Sequence, residues 1–426
     1  MNVLVVGGNG REHTLVWKID QSPLVDRVYC VPGNAGIAEL AECRSMPWED
    51  NFDQLADFAE SVKIDLTVVG PEAPLANGIV DAFQERGLRV FGPNRNAAVL
   101  EASKDFAKNL MVENGIPTAA HRTFRNPYEA IAYIKEVDSP VFVKAVGLAA
   151  GKGAVAGRTV EAAIQAVKTI MIDREFDDAG DQVVIEEELI GEEASFFVFT
   201  DGSYCLPLAS SQDHKMSLDG DQGKNTGGMG AYSPAPVITP ELQDYVMRRI
   251  VHPTINGMNS QGRIFKGVLY VGLMVTDDGP KVVEFNCRFG DPEAQVLLPR
   301  METDLVPVLE SCVDGTLAGV DVTWKPGSAV CVVMASGGYP DAYEKGKVIS
   351  GLNDANALKD VAVFHAATKA QNGQTVTDGG RILGVTALAS DLESAVGRAY
   401  QGISEIHFDQ AHFRTDIGYR ALARTT

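Results

Sequence analysis

The first hundred residues alternate short apolar runs with amphipathic segments, and this alternation constrains the fold more than any other feature. The apolar runs NVLVVG, RVYCVPG, IDLTVVGPE and RVFGPN are separated by the helix-like segments GREHTLVWKI, DQLADFAESV and ANGIVDAFQERG. Strands that alternate with helices are typical of a parallel sheet with helices on both faces. The sequence therefore predicts an N-terminal, doubly wound α/β domain.

The rest of the chain follows different patterns. A chain of 426 residues is too long for one ordinary domain. LEASKDFAKNLMVENGIPTA predicts one helix that ends near Gly115, PVFVKAVGLAAGKGAVA predicts an antiparallel hairpin, and IFKGVLYVGLMVTDDGPKVVEFN predicts two long strands. Further strands and a closing helix after about residue 325 indicate a small α+β domain. We therefore expect domains at 1–102, 103–324 and 325–426.

Composition limits the classes of function. The 57 acidic and 37 basic side chains give a net charge of −20, which is opposite to what a nucleic-acid groove or an anionic membrane surface requires. The six cysteines form no C-x-x-C pair, which disfavours zinc sites and disulfide frameworks. The start MNVLVVGGNG lacks the layout of a signal peptide, and no apolar run approaches the ~20 residues of a membrane span. We expect a cytoplasmic protein that binds small molecules, and neither nucleic acid nor membrane.

The first glycine-rich turn, VVGGNGREH, lies between the first strand and the first helix. Gly8 and Gly10 there would let backbone N–H groups and the helix N-terminus hold an anion. The dinucleotide fingerprint is poorly matched, because His13 stands where a small residue is required and the second strand ends in YCVPGNAG without an acidic residue. A single phosphate ester fits better than NAD, and a tight turn without a ligand is the alternative.

The second glycine-rich stretch, KAVGLAAGKG, departs from the Walker A pattern. Only three residues separate Gly147 from Gly151, and Gly153 follows Lys152 where a hydroxyl would be needed to hold magnesium. A hairpin tip of glycine and alanine could instead cover phosphates through backbone amides. Lys144, on the strand that feeds the tip, could then lie along the α- and β-phosphates.

The stretch EEELIGEEASF follows as a strand, a break and a second strand. The end of the first strand could present backbone groups to the edge of a base. Glu193, a short step further on, could bind a ribose diol. The alternative is a charged strand edge that faces solvent.

The stretch KVVEFNCRFGDPEAQV carries the strongest chemical signal. Val282, Glu284 and Asn286 alternate along a predicted strand, so Glu284 and Asn286 should project to one face. Two oxygen ligands there suit Mg²⁺, which takes few protein carboxylates and completes its shell with water and substrate phosphates. Arg288 follows on the same face with Asp291 and Glu293 just beyond, and a guanidinium there could meet the γ-phosphate or acyl phosphate oxygens.

A polar, glycine-rich segment, DHKMSLDGDQGKNTGGMGAYSP, is too long for an ordinary connection. Asp213, Lys215 and residues 225–230 within it could line a substrate pocket.

Together these motifs resemble the ATP-grasp ligases of purine biosynthesis, over essentially the whole chain. The shared stretches are GGNGREH, GPE at 70–72, SKDFAK at 103–108, VKAVGLAAGKG, EEELIGEEASF, NTGGMGAYSP, FNCRFGDPEAQ and GGRILGVTAL. The resemblance implies a central ATP-grasp fold with a lid at about 120–190, and a monomer. It also implies an ATP-dependent carbon–nitrogen ligase that joins glycine to 5-phosphoribosylamine through glycyl phosphate.

The resemblance implies roles for individual residues as well. ATP would be bound by Lys104, Lys144, Gly147, Gly151, Lys152, Gly153, the backbone of Glu187 and Leu189, and Glu193. The other substrates would contact Gly8, Asn9, Gly10, Arg11, Glu12, Glu72, Asp213, Asn225 and Gly228. Glu284 and Asn286 would hold Mg²⁺, with Mn²⁺ as a substitute, and Arg288, Asp291 and Lys215 would act in catalysis.

Two positions depart from the family pattern, and other functions remain open. Met216 follows Lys215 where the family usually has arginine, and Lys224 stands where proline is common. These departures bear on substrate affinity more than on reaction type. The alternatives are another ATP-grasp enzyme of the purine pathway, such as a carboxylase or a formate-using transferase, and a catalytically inactive nucleotide-binding relative. A nicotinamide-dependent dehydrogenase is a more distant alternative.

Overall fold

The structure, a computed structural model, describes residues 1–149 and 153–425. The N-terminal part is a five-stranded parallel sheet flanked by helices, as the sequence predicts. Its strands are β1 (Asn2–Gly7), β2 (Arg27–Pro32), β3 (Glu42–Cys43), β4 (Leu66–Val69) and β5 (Val90–Phe91). Its helices are α1 (Gly10–Asp20), α2 (Asp53–Ser61), α3 (Glu72–Asn77), α4 (Ile79–Glu85) and α5 (Arg95–Ala102).

The strand order of this sheet is β3-β2-β1-β4-β5, with β1 in the middle. Residues 3–6 of β1 are fully buried because helices cover both faces. The chain reverses its winding direction between β1 and β4, and the turns after Gly7 and after β4 meet at the carboxyl edge. Such a crevice is where open α/β sheets bind ligands.

The predicted single helix over residues 100–115 is instead two helices. Helix α5 ends at Ala102, and α6 (Lys104–Glu113) begins two residues later. Ser103 between them is extended, with φ −135° and ψ 106°, and its hydroxyl accepts a hydrogen bond from the Phe106 N–H. Serine ends one helix and caps the next because its side chain replaces a missing backbone partner.

Residues 121–187 form a separate layer, at the place where the lid is expected. Its antiparallel sheet has the order β6-β9-β7-β8, and β7 and β8 form the predicted hairpin. A core of its own includes Phe124, Val143 and Ile185. Its elements are β6 (His121–Phe124), α7 (Pro127–Val137), β7 (Val141–Ala145), β8 (Ala154–Gly157), α8 (Val160–Val167) and β9 (Val183–Glu187).

The body of the central region is the antiparallel sheet β11-β10-β16-β17 with helices beside it. Its strands are β10 (Glu192–Thr200), β11 (Cys205–Pro207), β16 (Gly267–Thr276) and β17 (Gly279–Asn286). Between them in the chain lie β12 (Gln212–Asp213), β13 (Met216–Leu218), β14 (Gln222–Asn225), β15 (Gly230–Ser233), α9 (Pro240–Val246) and α10 (His252–Ser260). Two helices follow the sheet, α11 (Ala294–Leu297) and α12 (Leu305–Asp314).

The C-terminal sheet has the order β12-β15-β18-β22-β19, so it takes two strands from the central region. The last two regions therefore share one sheet across residue 325. The C-terminal elements are β18 (Ser328–Ala335), α13 (Leu352–Asn356), β19 (Val361–His365), β20 (Thr368–Gln371), β21 (Gln374–Thr377), β22 (Arg381–Ala389), α14 (Leu392–Glu405) and α15 (Tyr419–Thr425). Among the helices of residues 1–149 and 153–425, none has the length and apolar character to cross a membrane.

Candidate active site

Glu193, predicted to bind the nucleotide, and the predicted metal residues Glu284 and Asn286 lie on one face of the sheet β11-β10-β16-β17. Across its antiparallel ladder Ser195 lies opposite Gly272, and Gly272 lies opposite Glu284. Tyr270 and Asn286 form the next row on the same face. A shared face follows from these pairings, because successive side chains of a strand point in opposite directions.

A β-bulge in β17 interrupts the alternation that the sequence predicts. Gly272 pairs with Glu284 but Leu273 pairs with Val282, so Val283 is an extra residue on β17. Val282 is therefore packed in the core with Phe285. The prediction that Glu284 and Asn286 share a face is confirmed, and the bulge interrupts the regular alternation between Val282 and Glu284.

A small cleft opens over this face. It is lined by Glu193, Ala194, Ser195, Asp213, Lys215, Tyr270, Gly272, Leu273, Val283 and Glu284. Lys215 Nζ lies 2.8 Å from Asp213 Oδ2. Burial alone would lower the pKa of Lys215, but Asp213 and the nearby Glu193 raise it well above its usual range. The cleft thus holds a permanent cation beside several carboxylates.

Glu284 fits the role of a metal ligand. Burial would raise the pKa of Glu284, but Lys215 and Lys104 hold it below its usual range, so the carboxylate is ionised. Among residues 1–149 and 153–425 it has no hydrogen bond or ion pair of its own. An ionised, partly buried carboxylate with no direct partner is suited to bind a cation.

Asn286 adds an oxygen next to Glu284. Its Oδ1 accepts a hydrogen bond from Arg288 at 3.1 Å, which leaves a second lone pair on that oxygen. The described part of the chain contains no cluster of three or more His, Cys, Asp or Glu side chains with metal-ligand geometry. One carboxylate and one amide oxygen match Mg²⁺, which relies on phosphates and water for its other ligands.

Arg288 lies between two carboxylates from other parts of the chain. Its guanidinium is 2.9 Å from Glu101 Oε1 and 3.3 Å from Glu72 Oε2. Burial would raise the pKa of Glu72, but Arg288 and Arg11 lower it to about 2. Arg288 therefore connects the end of β17 with the N-terminal domain, and these two glutamates fix the plane of its guanidinium.

Lys104 and Lys144 approach the same cleft from two directions. Lys104 Nζ lies 3.4 Å from the Gly147 carbonyl, and burial lowers the pKa of this lysine. Lys144 Nζ lies 3.0 Å from Glu186 Oε2 and 3.5 Å from the Val283 carbonyl. Two of the predicted loop residues, Gly151 and Lys152, lie outside the described residues, whereas Gly153 begins the return toward β8.

The predicted base-reading residues lie at the end of β9. The Glu187 N–H is engaged, since it donates to the Ala120 carbonyl at 2.9 Å. The Glu187 carboxylate accepts from the Ala120 N–H and lies 3.5 Å from Lys281 Nζ. Leu189 follows β9 in an irregular segment before Glu193. A base edge here would meet the backbone beyond Glu187 rather than the Glu187 N–H.

The N-terminal glycine turn is closely packed. A Cβ on Gly8 would lie 2.6 Å from the Gly33 carbonyl oxygen, and one on Gly10 would lie 2.4 Å from Gln295 Nε2. Arg11 donates to the Phe289 carbonyl at 3.1 Å, which brings the turn next to the segment that follows Arg288. Only glycine allows both approaches.

Within this turn Asn9 and Glu12 have different positions. Asn9 is exposed, whereas Glu12 is fully buried and both of its oxygens have protein donors, the Asn9 N–H and Arg11 Nε. Glu12 completes the capping box of α1. Its carboxylate therefore holds the turn, whereas Asn9 is exposed and Gly8 is half-buried.

Asp291 and Gly228 meet at Arg381 of β22. Arg381 donates to the carbonyls of Asp291, at 2.6 Å, and Gly227, at 2.8 Å, and lies 3.5 Å from the Asp291 carboxylate. Gly228 has φ +117°, and a Cβ there would lie 2.5 Å from Pro292. Arg381 of the C-terminal domain therefore fixes the predicted site segments at Asp291 and Gly228. Asn225, another predicted substrate-binding residue, is exposed on β14.

The two departures from the family pattern have simple surroundings. Lys224 forms an ion pair of 2.6 Å with Asp341, and both side chains are exposed. Met216 is half-buried, and its carbonyl accepts from Arg414 at 3.1 Å. Neither residue lines the cleft described above.

Several residues at the site were not predicted from the sequence. They are Glu101, Lys108, Glu186 and Arg381, whereas Glu293 lies just beyond Arg288 in the stretch that the sequence singles out. Glu293 is a member of RFGDPE, and its Oε1 accepts from Tyr270 at 2.8 Å and Ser195 at 3.1 Å. Glu101 and Arg381 carry no periodic signal, since each depends on a contact with a distant part of the chain.

Comparisons with known proteins agree along the whole chain. Three family models match it, described as the N domain, the ATP-grasp domain and the C domain of phosphoribosylglycinamide synthetase, at residues 1–101, 102–294 and 329–420. The phosphoribosylamine–glycine ligase of Pseudomonas aeruginosa is 50% identical over 426 residues, which cover 100% of this chain and 99% of the relative. That of Ralstonia nicotianae is 51% identical over 425 residues, which cover 100% of both.

Solved structures show the same fold. The crystal structure of the phosphoribosylamine–glycine ligase of Thermotoga maritima matches with a TM-score of 0.84 and 30% identity, over 98% of this chain and 100% of that one. The biotin carboxylase domain of the 2-oxoglutarate carboxylase of Hydrogenobacter thermophilus, solved with MgADP and bicarbonate, matches with a TM-score of 0.71 and 16% identity, over 97% and 91% of the chains. This second likeness concerns the fold alone.

Proposed function

The chain belongs to the phosphoribosylamine–glycine ligase family, and on that premise we propose which of its residues carry out the reaction. The family's ATP-dependent reaction forms glycinamide ribonucleotide in purine biosynthesis. ATP, glycine and 5-phosphoribosylamine are consumed, and glycinamide ribonucleotide, ADP and phosphate are formed. One contact carries the assignment best: Arg288, next to Asn286 on the cleft face, pairs with Glu72 of the N-terminal domain.

In the first step a glycine carboxylate oxygen attacks the γ-phosphorus of ATP, and the bond to the ADP oxygen breaks. Arg288 and Lys215 stabilise the charge that develops on the phosphoryl oxygens, because both are fixed cations in a partly buried cleft. Lys104 and Lys144 bind the other phosphates. Glu284 and Asn286 hold Mg²⁺, or Mn²⁺ in its place, which neutralises phosphate charge when bound.

In the second step the amine of 5-phosphoribosylamine attacks the acyl carbon of glycyl phosphate. The bond between the acyl carbon and the phosphate oxygen breaks, phosphate leaves, and the proton that the amine gives up passes to water. Gly8, Asn9 and Arg11 bind the phosphate of this substrate through the α1 N-terminus. Asp213 accepts a hydrogen bond from the glycine ammonium. Asp291, which is held by Arg381, fixes the turn that begins at Asp291 against Gly228.

ATP is held by the lid and the body together. Glu187 and Leu189 contact the adenine through the backbone, Glu193 binds the ribose, and Gly147 and Gly153 lie at the two ends of the phosphate-covering turn. Support comes from their order around the cleft, since Glu193 lines it and Lys104 lies against the Gly147 carbonyl.

Isotope transfer tests the proposed intermediate. Glycine labelled with ¹⁸O in its carboxylate should transfer one label to the released phosphate, because its carboxylate oxygen bridges to phosphorus. Phosphate without label, released at the rate of product formation, would contradict the glycyl phosphate route. The control omits 5-phosphoribosylamine and should release little labelled phosphate.

A further inference from the structure

Lys108 is a buried lysine whose place in the reaction is not explained by the site described above. It lies one turn after Lys104 on α6, and only 2% of it is exposed. Its Nζ lies 2.9 Å from Glu186 Oε2 and 2.8 Å from Thr118 Oγ1. Burial lowers the pKa of Lys108 to about 8, so the group is charged in neutral solution.

Glu186 receives two ammonium groups on one oxygen. Lys144 Nζ lies 3.0 Å from the same Oε2 that binds Lys108. The other oxygen, Oε1, is buried and has no partner within residues 1–149 and 153–425. Burial would raise the pKa of Glu186, but Lys144 and Lys108 hold it low. The three side chains therefore carry a net charge of +1.

Thr118 fixes Lys108 in this arrangement. Its hydroxyl donates to the Val282 carbonyl at 2.7 Å, so its lone pair is turned toward the lysine. The Val282 N–H donates to the Pro117 carbonyl at 2.8 Å, which joins this segment to β17. Lys108 is thereby held on Glu186 and cannot itself reach the cleft.

We propose that Lys108 is a positioning residue for ATP: by sharing Glu186, it leaves the charge of Lys144 available to the nucleotide phosphates. This rests on the proposed ATP contact of Lys144. A one-to-one pair of Lys144 and Glu186 would be neutral and would attract phosphates weakly. At the short distances of a protein interior one added unit of charge changes anion affinity by roughly tenfold or more.

The test compares Lys108→Met, Glu186→Gln and the double variant, using the dissociation constants of ATP and of adenosine. The dissociation constant of adenosine divided by that of ATP isolates the contribution of the phosphates from that of the base. Lys108→Met should lower this ratio roughly tenfold, because the remaining pair is neutral. Adding Glu186→Gln to Lys108→Met should restore most of the ratio, since Lys144 then keeps its charge. Lys135→Met, an exposed lysine on α7, is the matched control and should change nothing.

Other results would overturn the proposal. A double variant with a ratio as low as that of Lys108→Met would show a packing role for Lys108, as would equal weakening of ATP and adenosine. If Lys108→Met does not fold, Glu186→Gln alone tests the same charge balance. This variant should keep the ratio at least at the wild-type value, and a lower ratio would contradict the proposal. Wild-type protein that binds no ATP would contradict the proposed function instead.

Discussion

At the scale of single residues, the site depends on charges that are placed before any substrate arrives. Glu284 is surrounded by Lys215, Lys104, Lys144 and Arg288, and these cations keep it ionised despite burial. Glu72 and Glu101 hold Arg288 in one orientation. Preorganised charge of this kind lowers a barrier because nothing must reorient as the reaction proceeds.

Replacing Glu284 with glutamine tests the metal assignment. The variant should fold, because the carboxylate has no hydrogen bond within the described residues to lose. Its turnover in millimolar Mg²⁺ should fall by roughly a hundredfold or more. Asp277→Asn, on the exposed turn of the same hairpin, is the control. Normal turnover of a folded Glu284→Gln protein would remove this residue from the metal site.

Replacing Arg288 with lysine separates charge from geometry. Lysine keeps the positive charge but loses the fork that contacts Glu72, Glu101 and Asn286. ATP affinity, measured by calorimetry, should stay near that of the wild type, while the single-turnover rate should fall by roughly a hundredfold. If the affinity for ATP falls strongly and the single-turnover rate at saturating ATP does not, Arg288 binds ATP before the reaction and does not stabilise the transition state. If neither changes, it is an ion-pair partner only.

At the scale of elements, the capped start of α6 sets the position of Lys104. Ser103→Ala should remove the cap and lower the free energy of unfolding by ~1 kcal/mol. It should also weaken ATP binding severalfold, because Lys104 is the first residue of the helix. Thr159→Ala removes the equivalent cap of α8 and serves as the control. Equal ATP affinity in both variants would show that the cap does not position Lys104.

The sequence predicted those elements whose signal is local. The strands β1, β2, β4, β5, β16 and β17 and the hairpin β7–β8 follow from apolar runs and turn residues. The break at Ser103 was missed because LEASKDFAKNL has a continuous helical pattern, and the bulge at Val283 because alternation alone does not reveal an extra residue. Glu186 and Arg381 could not be found, since their partners are distant in the chain.

At the scale of the whole molecule, the N- and C-terminal domains meet at a pair of buried histidines. The His365 N–H donates to His13 Nδ1 at 2.7 Å, and the rings lie 5.5 Å apart. Burial lowers the pKa of His13 to about 3 and that of His365 to about 4. Both rings are therefore neutral in the folded protein, and an unprotonated His13 Nδ1 lets α1 accept the hydrogen bond from the end of β19.

This histidine pair predicts loss of stability in mild acid. Below about pH 6.5 the unfolded chain binds protons on both rings and the folded chain does not, so stability falls as pH falls. Each histidine should contribute ~1.4 kcal/mol per pH unit between pH 6 and 5. The free energy of unfolding can be measured by chemical denaturation at pH 7, 6 and 5. His13→Asn should remove about half of the pH dependence that the two histidines contribute. Equal slopes in both proteins would contradict the assignment.

We propose that nucleotide, metal and both substrates meet on the face that carries Glu193, Glu284 and Asn286. Crystals grown with ADP and Mn²⁺ test it most directly, because manganese scatters anomalously. We expect a peak at coordination distance from Glu284 and Asn286, with the adenine beside the backbone at Glu187–Leu189. A peak at another acidic group, with ADP away from this face, would contradict it.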